Sequence, residues 1–151
     1  MRITKRAILA LAALSFSIVP AATRIDDPKT FVAEVYRRLM APHSSYVPPN
    51  NVYAPRLGKL LLDDKRKAKG EVGCLDFVFW INAQDWTITN LTITSADEAQ
   101  DRKTAITKFR NGGEHQEMHF DSRVNAGRWL LDDVHSLSAP PWTSQLLKCR
   151  P

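Results

Sequence analysis

The sequence predicts an α+β domain: a long N-terminal helix and a second helix packed on a curved, mostly antiparallel sheet. Three observations carry that expectation. Apolar residues recur with a helical period between Asp27 and Met40, and a second such pattern starts at Pro55. After Gly73 the pattern changes to β-branched runs separated by turn residues. Helices followed by a run of antiparallel strands place the helices on one face of the sheet. Four or five strands wrapping an amphipathic helix curl into a half-open cone, whose mouth is a natural ligand cavity.

The elements follow in chain order. Phe31, Val32, Val35, Tyr36, Leu39 and Met40 form one face of the first helix. Asp27 caps it, Pro28 fits its first position and Pro42 stops it. Residues 42–53 hold three prolines and read as a loop, with a turn at Asn50-Asn51. The second helix carries Leu57, Leu60 and Leu61 inward and ends before Gly70. Residues 74–81 (CLDFVFWI) are almost continuously apolar, which predicts a strand covered on both faces. Further strands are expected over 86–94, 103–110, 114–124 and 128–135. Asn111-Gly112-Gly113 marks a hairpin, and Asn125-Ala126-Gly127 a second turn. Pro140-Pro141 opens a short terminal helix over Trp142, Leu146 and Leu147.

A length of 151 residues suits one domain. Hydrophobic residues at 44 % and charged residues at 25 % are globular usage and exclude a disordered chain. Arg2, Lys5 and Arg6 precede an apolar run from Ala7 to Val19, and Val19-Pro20-Ala21 has small residues where a signal peptidase reads. The run is shorter than the roughly 20 residues a spanning helix needs. The expectation is a signal peptide over 1–21, a single α+β domain over 22–151, and a periplasmic or secreted protein with no integral membrane segment after cleavage. Three of the 21 basic residues and none of the 16 acids leave with that segment, so the formal charge falls from +5 to +2. Such a balance gives no ground for nucleic-acid binding. The basic run Lys65-Arg66-Lys67-Ala68-Lys69 instead suits the C-terminal end of a helix. The two cysteines, Cys74 and Cys149, read as one disulfide in an oxidising compartment. Its closure would restrict the unfolded chain by about 4 kcal/mol. No cysteine lies near the cleavage point to carry a lipid.

Several short motifs together resemble a known family. Asp27-Pro28 leading into Phe31-Val32 and Val35-Tyr36, then Ala83-Gln84-Asp85, and finally Trp129-Leu130-Leu131-Asp132-Asp133-Val134 are similar to the bacterial family catalogued as domain of unknown function 3828. That family resembles the nuclear transport factor 2-like superfamily in fold. The resemblance spans roughly residues 27–148 and implies an exported protein with a cone-shaped α+β fold. Members are often lipid-anchored, and this chain departs in lacking the attachment cysteine. The superfamily holds isomerases, dehydratases, binding modules and immunity proteins, so fold alone decides no activity.

Candidate site residues sit where the cone's rim and interior should be. Asp132 and Asp133 point to opposite faces of the last strand, Asp133 with Trp129 and Leu131, Asp132 with Leu130 and Val134. One of the two carboxylates should stand among apolar side chains, where burial would raise its pKa and make it a base or a ligand contact. A carboxylate bonded to backbone amides of a nearby loop is the structural alternative. Asp85 caps a turn or, as the superfamily resemblance implies, pairs with a phenol from Tyr36 or Tyr46. Asp76 is a further carboxylate within an apolar run. Tyr36, Gln84, Asp85, Trp86, Trp129 and Asp133 are the expected ligand contacts. His43-Ser44-Ser45 pairs a base with a nucleophile but has no acid at fixed spacing. His115, Glu117, His119 and Asp121 share a strand face, yet positions four apart on a strand lie about 13 Å apart. His115 and His119 therefore cannot share an ion; one His-Glu pair with a group from a neighbouring strand is the metal alternative to a polar, solvent-facing stripe, and the expectation is the stripe, with no metal or other cofactor. Trp80, Trp86, Trp129 and Trp142 serve as core packing or cover a homodimer face.

These features lead first to an exported non-catalytic protein that binds a small ligand, an envelope component or a protein partner. An immunity-type protein that neutralises a secreted toxin is the second reading. An isomerase- or dehydratase-like enzyme using Asp85, Asp132 or Asp133 with a tyrosine is the third.

Overall fold

The computed structural model describes residues 24–75, 78 and 80–149. The signal peptide expected over 1–21 and the candidate Asp76 lie outside the described residues. Three α-helices, α1 (Pro28–Leu39), α2 (Pro55–Ala68) and α3 (Trp142–Lys148), accompany one four-stranded antiparallel sheet. Its strands are β1 (Ile88–Ala99), β2 (Arg102–Asn111), β3 (Glu114–Asn125) and β4 (Arg128–Ser136), in that spatial order. This α+β arrangement is compatible with a cone.

The N-terminus of α1 forms where the Asp27 carboxylate accepts the Thr30 backbone N–H at 2.9 Å, one turn on. Phe31, Val32, Val35, Tyr36 and Leu39 are buried along one side, facing the sheet. The helix has 12 residues, about 18 Å of rise, and packs over β1, β2 and β3. Helix α2 begins at Pro55, buries Leu57 and ends where Lys69 and Gly70 adopt positive φ. Lys65, Arg66 and Lys67 fill its last turn, against the negative end of the dipole.

The β2–β3 and β3–β4 hairpins rest on residue pairs with positive φ: Gly112-Gly113 (56° and 95°) and Ala126-Gly127 (49° and 73°). Two consecutive left-handed residues match the right-handed twist of the flanking strands. The far edge of β4 is covered, since Ile25 bridges to Trp129 and the Ala54 N–H donates to the Leu131 carbonyl at 2.7 Å.

Two expectations are corrected. Among the described residues of 74–81, none belongs to a strand of the sheet. Val78 bridges Ala83 in a tight loop closed through Asn82 at φ 57°, and Trp80 and Ile81 plunge into the core. An apolar run of that length is also what an irregular plug needs, and period alone does not separate the two. Trp80 stacks on Phe120 with ring centres 5.2 Å apart and meets Trp142 edge-on at 6.1 Å, filling the space between helices and sheet.

The second correction concerns faces on β4. Ser122 pairs with Leu131 but Asp121 pairs with Asp133, so Asp132 is an extra residue in a bulge. Alternation restarts there. Val134 faces Phe120 on the helix side, with Leu131 opposite Ser122 and Trp129 opposite Val124, while His135 falls opposite His119 on the other side. Asp133 thus leaves the register of Trp129 and Leu131.

A disulfide joins Cys74 to Cys149 with Cα atoms 5.9 Å apart, tying the chain after α2 to the end of α3. Asp64 on α2 holds the same junction by accepting the Cys74 N–H at 2.9 Å.

Candidate functional site

At one end of α1 the chain leaves an open cleft. Its walls are the last turn of the helix, the proline-rich loop after it, and the segment that carries Trp80 and Trp86. Helix α1 stops at Leu39 because Met40 and Ala41 turn back onto the carbonyls of Tyr36 and Arg38. His43 then adopts φ 55°, and Ser44 Oγ accepts the Tyr46 N–H at 3.3 Å, so the loop curls over the helix end.

Trp86 is the shared wall. Its indole N–H donates to the Leu39 carbonyl at 3.1 Å, satisfying a group that the helix terminus leaves unpaired. Asn111, at the end of β2, fixes the segment before and after that ring. Its Oδ1 accepts the Thr87 N–H at 2.8 Å and its Nδ2 donates to the Asp85 carbonyl at 3.2 Å. Two hollows meet at Trp86, Leu39 and Ser44. The larger, about 470 Å³, is half polar and includes His43, Asp85 and Thr87 in its lining. The smaller, about 210 Å³, is almost wholly apolar and lies between Trp80, Trp86, Tyr46, Val47 and Val78. The Arg38 guanidinium sits over the Tyr46 ring, 4.9 Å from its centre. Partial burial pushes the Tyr46 phenol upward, so that it is neutral at any physiological pH.

Comparisons of the chain with family models, curated proteins and solved structures return no match. The site is therefore read from its own geometry.

That geometry separates the residues the sequence singled out. Asp85 and Trp86 line the cleft, and Gln84 is exposed beside them. Tyr36 lies beneath it, fully buried, with its hydroxyl donating to the Trp80 carbonyl at 2.7 Å and 3.0 Å from Thr107 Oγ1. Burial raises that phenol's pKa far above its ordinary value, against a smaller lowering by Thr107. The Asp133 carboxylate accepts the backbone N–H groups of Val134 and Thr143 at 2.9 and 3.2 Å, and also the Thr143 hydroxyl. It thus anchors the first turn of α3. Asp132 lies 3.7 Å from Arg123 Nε, and Trp129 sits at the far end of β4 beneath Lys103 Nζ at 5.6 Å. Among the described residues, no hydrogen bond joins an aspartate carboxylate to a tyrosine hydroxyl. Asp85 shares a lining with His43 and Ser44, a grouping invisible in the sequence because 41 positions separate Ser44 from Asp85. Leu39, Val47, Val78 and Asn111 complete the site; of these Leu39 had a local signal as part of the α1 apolar face and Asn111 as part of the turn before Gly112.

Proposed function

We propose that this chain is an exported, non-catalytic binding protein of the nuclear transport factor 2-like cone type, holding a small amphipathic molecule at the mouth of the cone. The observation that carries the reading is the two-part cleft around Trp86. An apolar hollow floored by Trp80 opens into a polar one that offers Asp85, Thr87 and His43. A flat apolar body fits the first, and its hydrogen-bonding end meets the second, as in small-molecule sites generally. Binding is favoured over the enzyme reading because Asp133 and Tyr36 are spent on structural hydrogen bonds and do not converge. The disulfide and the lack, among the described residues, of any helix long and apolar enough to cross a membrane support export.

The test uses N-phenyl-1-naphthylamine, a flat apolar amine whose fluorescence rises on transfer out of water. One saturable site per chain is expected. Trp86→Ala removes the shared wall and should weaken binding about tenfold, the order of one lost aromatic contact of about 1.5 kcal/mol. Absence of saturable binding, or a Trp86→Ala chain that binds like wild type, refutes the reading.

A further inference from the structure

The sheet face turned away from α1 carries a polar cluster that the cleft does not use. Glu117, His119 and Asp121 share that face of β3. Lys108, Ile106 and Thr104 stand opposite them on β2, and His135 stands opposite His119 on β4. The two histidine rings are 4.8 Å apart between centres, their planes inclined by 31°. His119 Nε2 lies 2.8 Å from Glu117 Oε1. His135 Nδ1 is buried and makes no hydrogen bond, although Asp121 Oδ2 is 3.4 Å away.

The geometry points to a divalent transition-metal site on this face, with His119 and His135 as ligands and Glu117 and Asp121 backing their rings. A ring nitrogen about 2 Å from a zinc-type ion places the ring centre about 3 Å from it, so two imidazoles on one tetrahedral ion stand about 5 Å apart. The observed spacing agrees. A carboxylate on the rear nitrogen is the usual support of a metal-bound histidine, because it sets tautomer and orientation. Glu117 holds Nε2 of His119, leaving Nδ1 to ligate; Asp121 Oδ2 stands 3.4 Å from His135 Nδ1 without hydrogen-bonding it, and Nε2 of that ring is the second ligand. Among the described residues no group of three His, Cys, Asp or Glu side chains is placed to hold an ion, so the site proposed has two protein ligands and its remaining positions would fall to solvent. Imidazole selects zinc, nickel and copper(II) over magnesium and calcium, which prefer oxygen.

The ligand pair depends on the bulge. Without Asp132 as the extra residue, continuing the Ser122–Leu131 register would set Val134, not His135, opposite His119. Read along β3 alone, the histidines are too far apart to share an ion; the second ligand comes from the neighbouring strand.

The experiment is calorimetric titration of the untagged chain with zinc chloride and, separately, copper(II) chloride at pH 7.5. One ion per chain is expected with at least one of the metals. His119→Gln and His135→Gln should each weaken binding about tenfold or more, the range seen when metal support is removed, and His115→Gln should leave it unchanged. No saturable binding by either metal overturns the proposal, as does wild-type affinity in the double variant. Should the variants fail to fold, imidazole NMR of the wild-type chain decides. Zinc must perturb His119 and His135 before His43 and His115, and the reverse order overturns the site.

Discussion

Removing one oxygen from the core, as Tyr36→Phe, tests how the cleft is tied to the fold. The Tyr36 hydroxyl is the buried link between α1, the Trp80 carbonyl at 2.7 Å and Thr107 on β2 at 3.0 Å. Both Tyr36 and Thr107 are fully buried, so water cannot replace the lost partner. A buried polar group left unsatisfied costs about 1–3 kcal/mol. The expected destabilisation is about 2 kcal/mol, or about 8 °C in Tm for a domain of this size. Thr107→Val should cost about 1 kcal/mol, because the tyrosine keeps the Trp80 carbonyl. Combining the two should cost about 1 kcal/mol less than their sum, since the hydroxyls are lost as a pair. Urea unfolding of the four chains in the cycle measures all three figures. A Tyr36→Phe chain within about 0.5 kcal/mol of wild type would refute the claim that this hydroxyl pins the Trp80 loop.

Two further outcomes follow from local geometry. Asp27→Ala should cost about 1 kcal/mol at pH 7 through loss of the α1 cap. The Thr30 amide holds the Asp27 carboxyl below its ordinary range, so the wild-type advantage is present above the unfolded pKa and disappears as pH falls through the folded one. Thermal melts of both chains from pH 7 down to pH 2 should therefore converge, and a gap that persists at the acid end would contradict the assignment. Replacing Cys74 and Cys149 together by serine should lower stability by about 4 kcal/mol, read as a drop in the urea midpoint. An unchanged midpoint would mean the link constrains nothing in the unfolded chain.

Elements whose boundaries rest on local chemistry were legible without coordinates. Asp27, Pro28 and the spacing of Phe31, Val35 and Leu39 define α1 within a residue or two. The β2–β3 and β3–β4 hairpins follow from Gly112-Gly113 and Gly127, because only particular residues accept positive φ at low cost. The apolar run that ends in Trp80 and Ile81 suits two outcomes for a physical reason: such side chains satisfy burial equally well in a two-sided strand or in a plug. Only the presence of a hole between α1 and the sheet, shaped for Trp80, selects the plug. Of the site, Asp85 and Trp86 could be suspected as rim residues. Their company with His43 and Ser44 depends on where the loop after α1 comes to rest.

Composition and periodicity by themselves determined an α+β chain, its helix ends, its turns and a pair of cysteines able to bridge. These are properties of neighbours a few positions apart, where sterics and capping act directly on the backbone. Tertiary structure alone decided which residues oppose one another. The single inserted residue Asp132 shifts the β4 register by one, sending Val134 into the core and bringing His135 against His119. A strand has a period of two, so one extra residue exchanges the faces of everything beyond it, and no local pattern announces where that residue will fall.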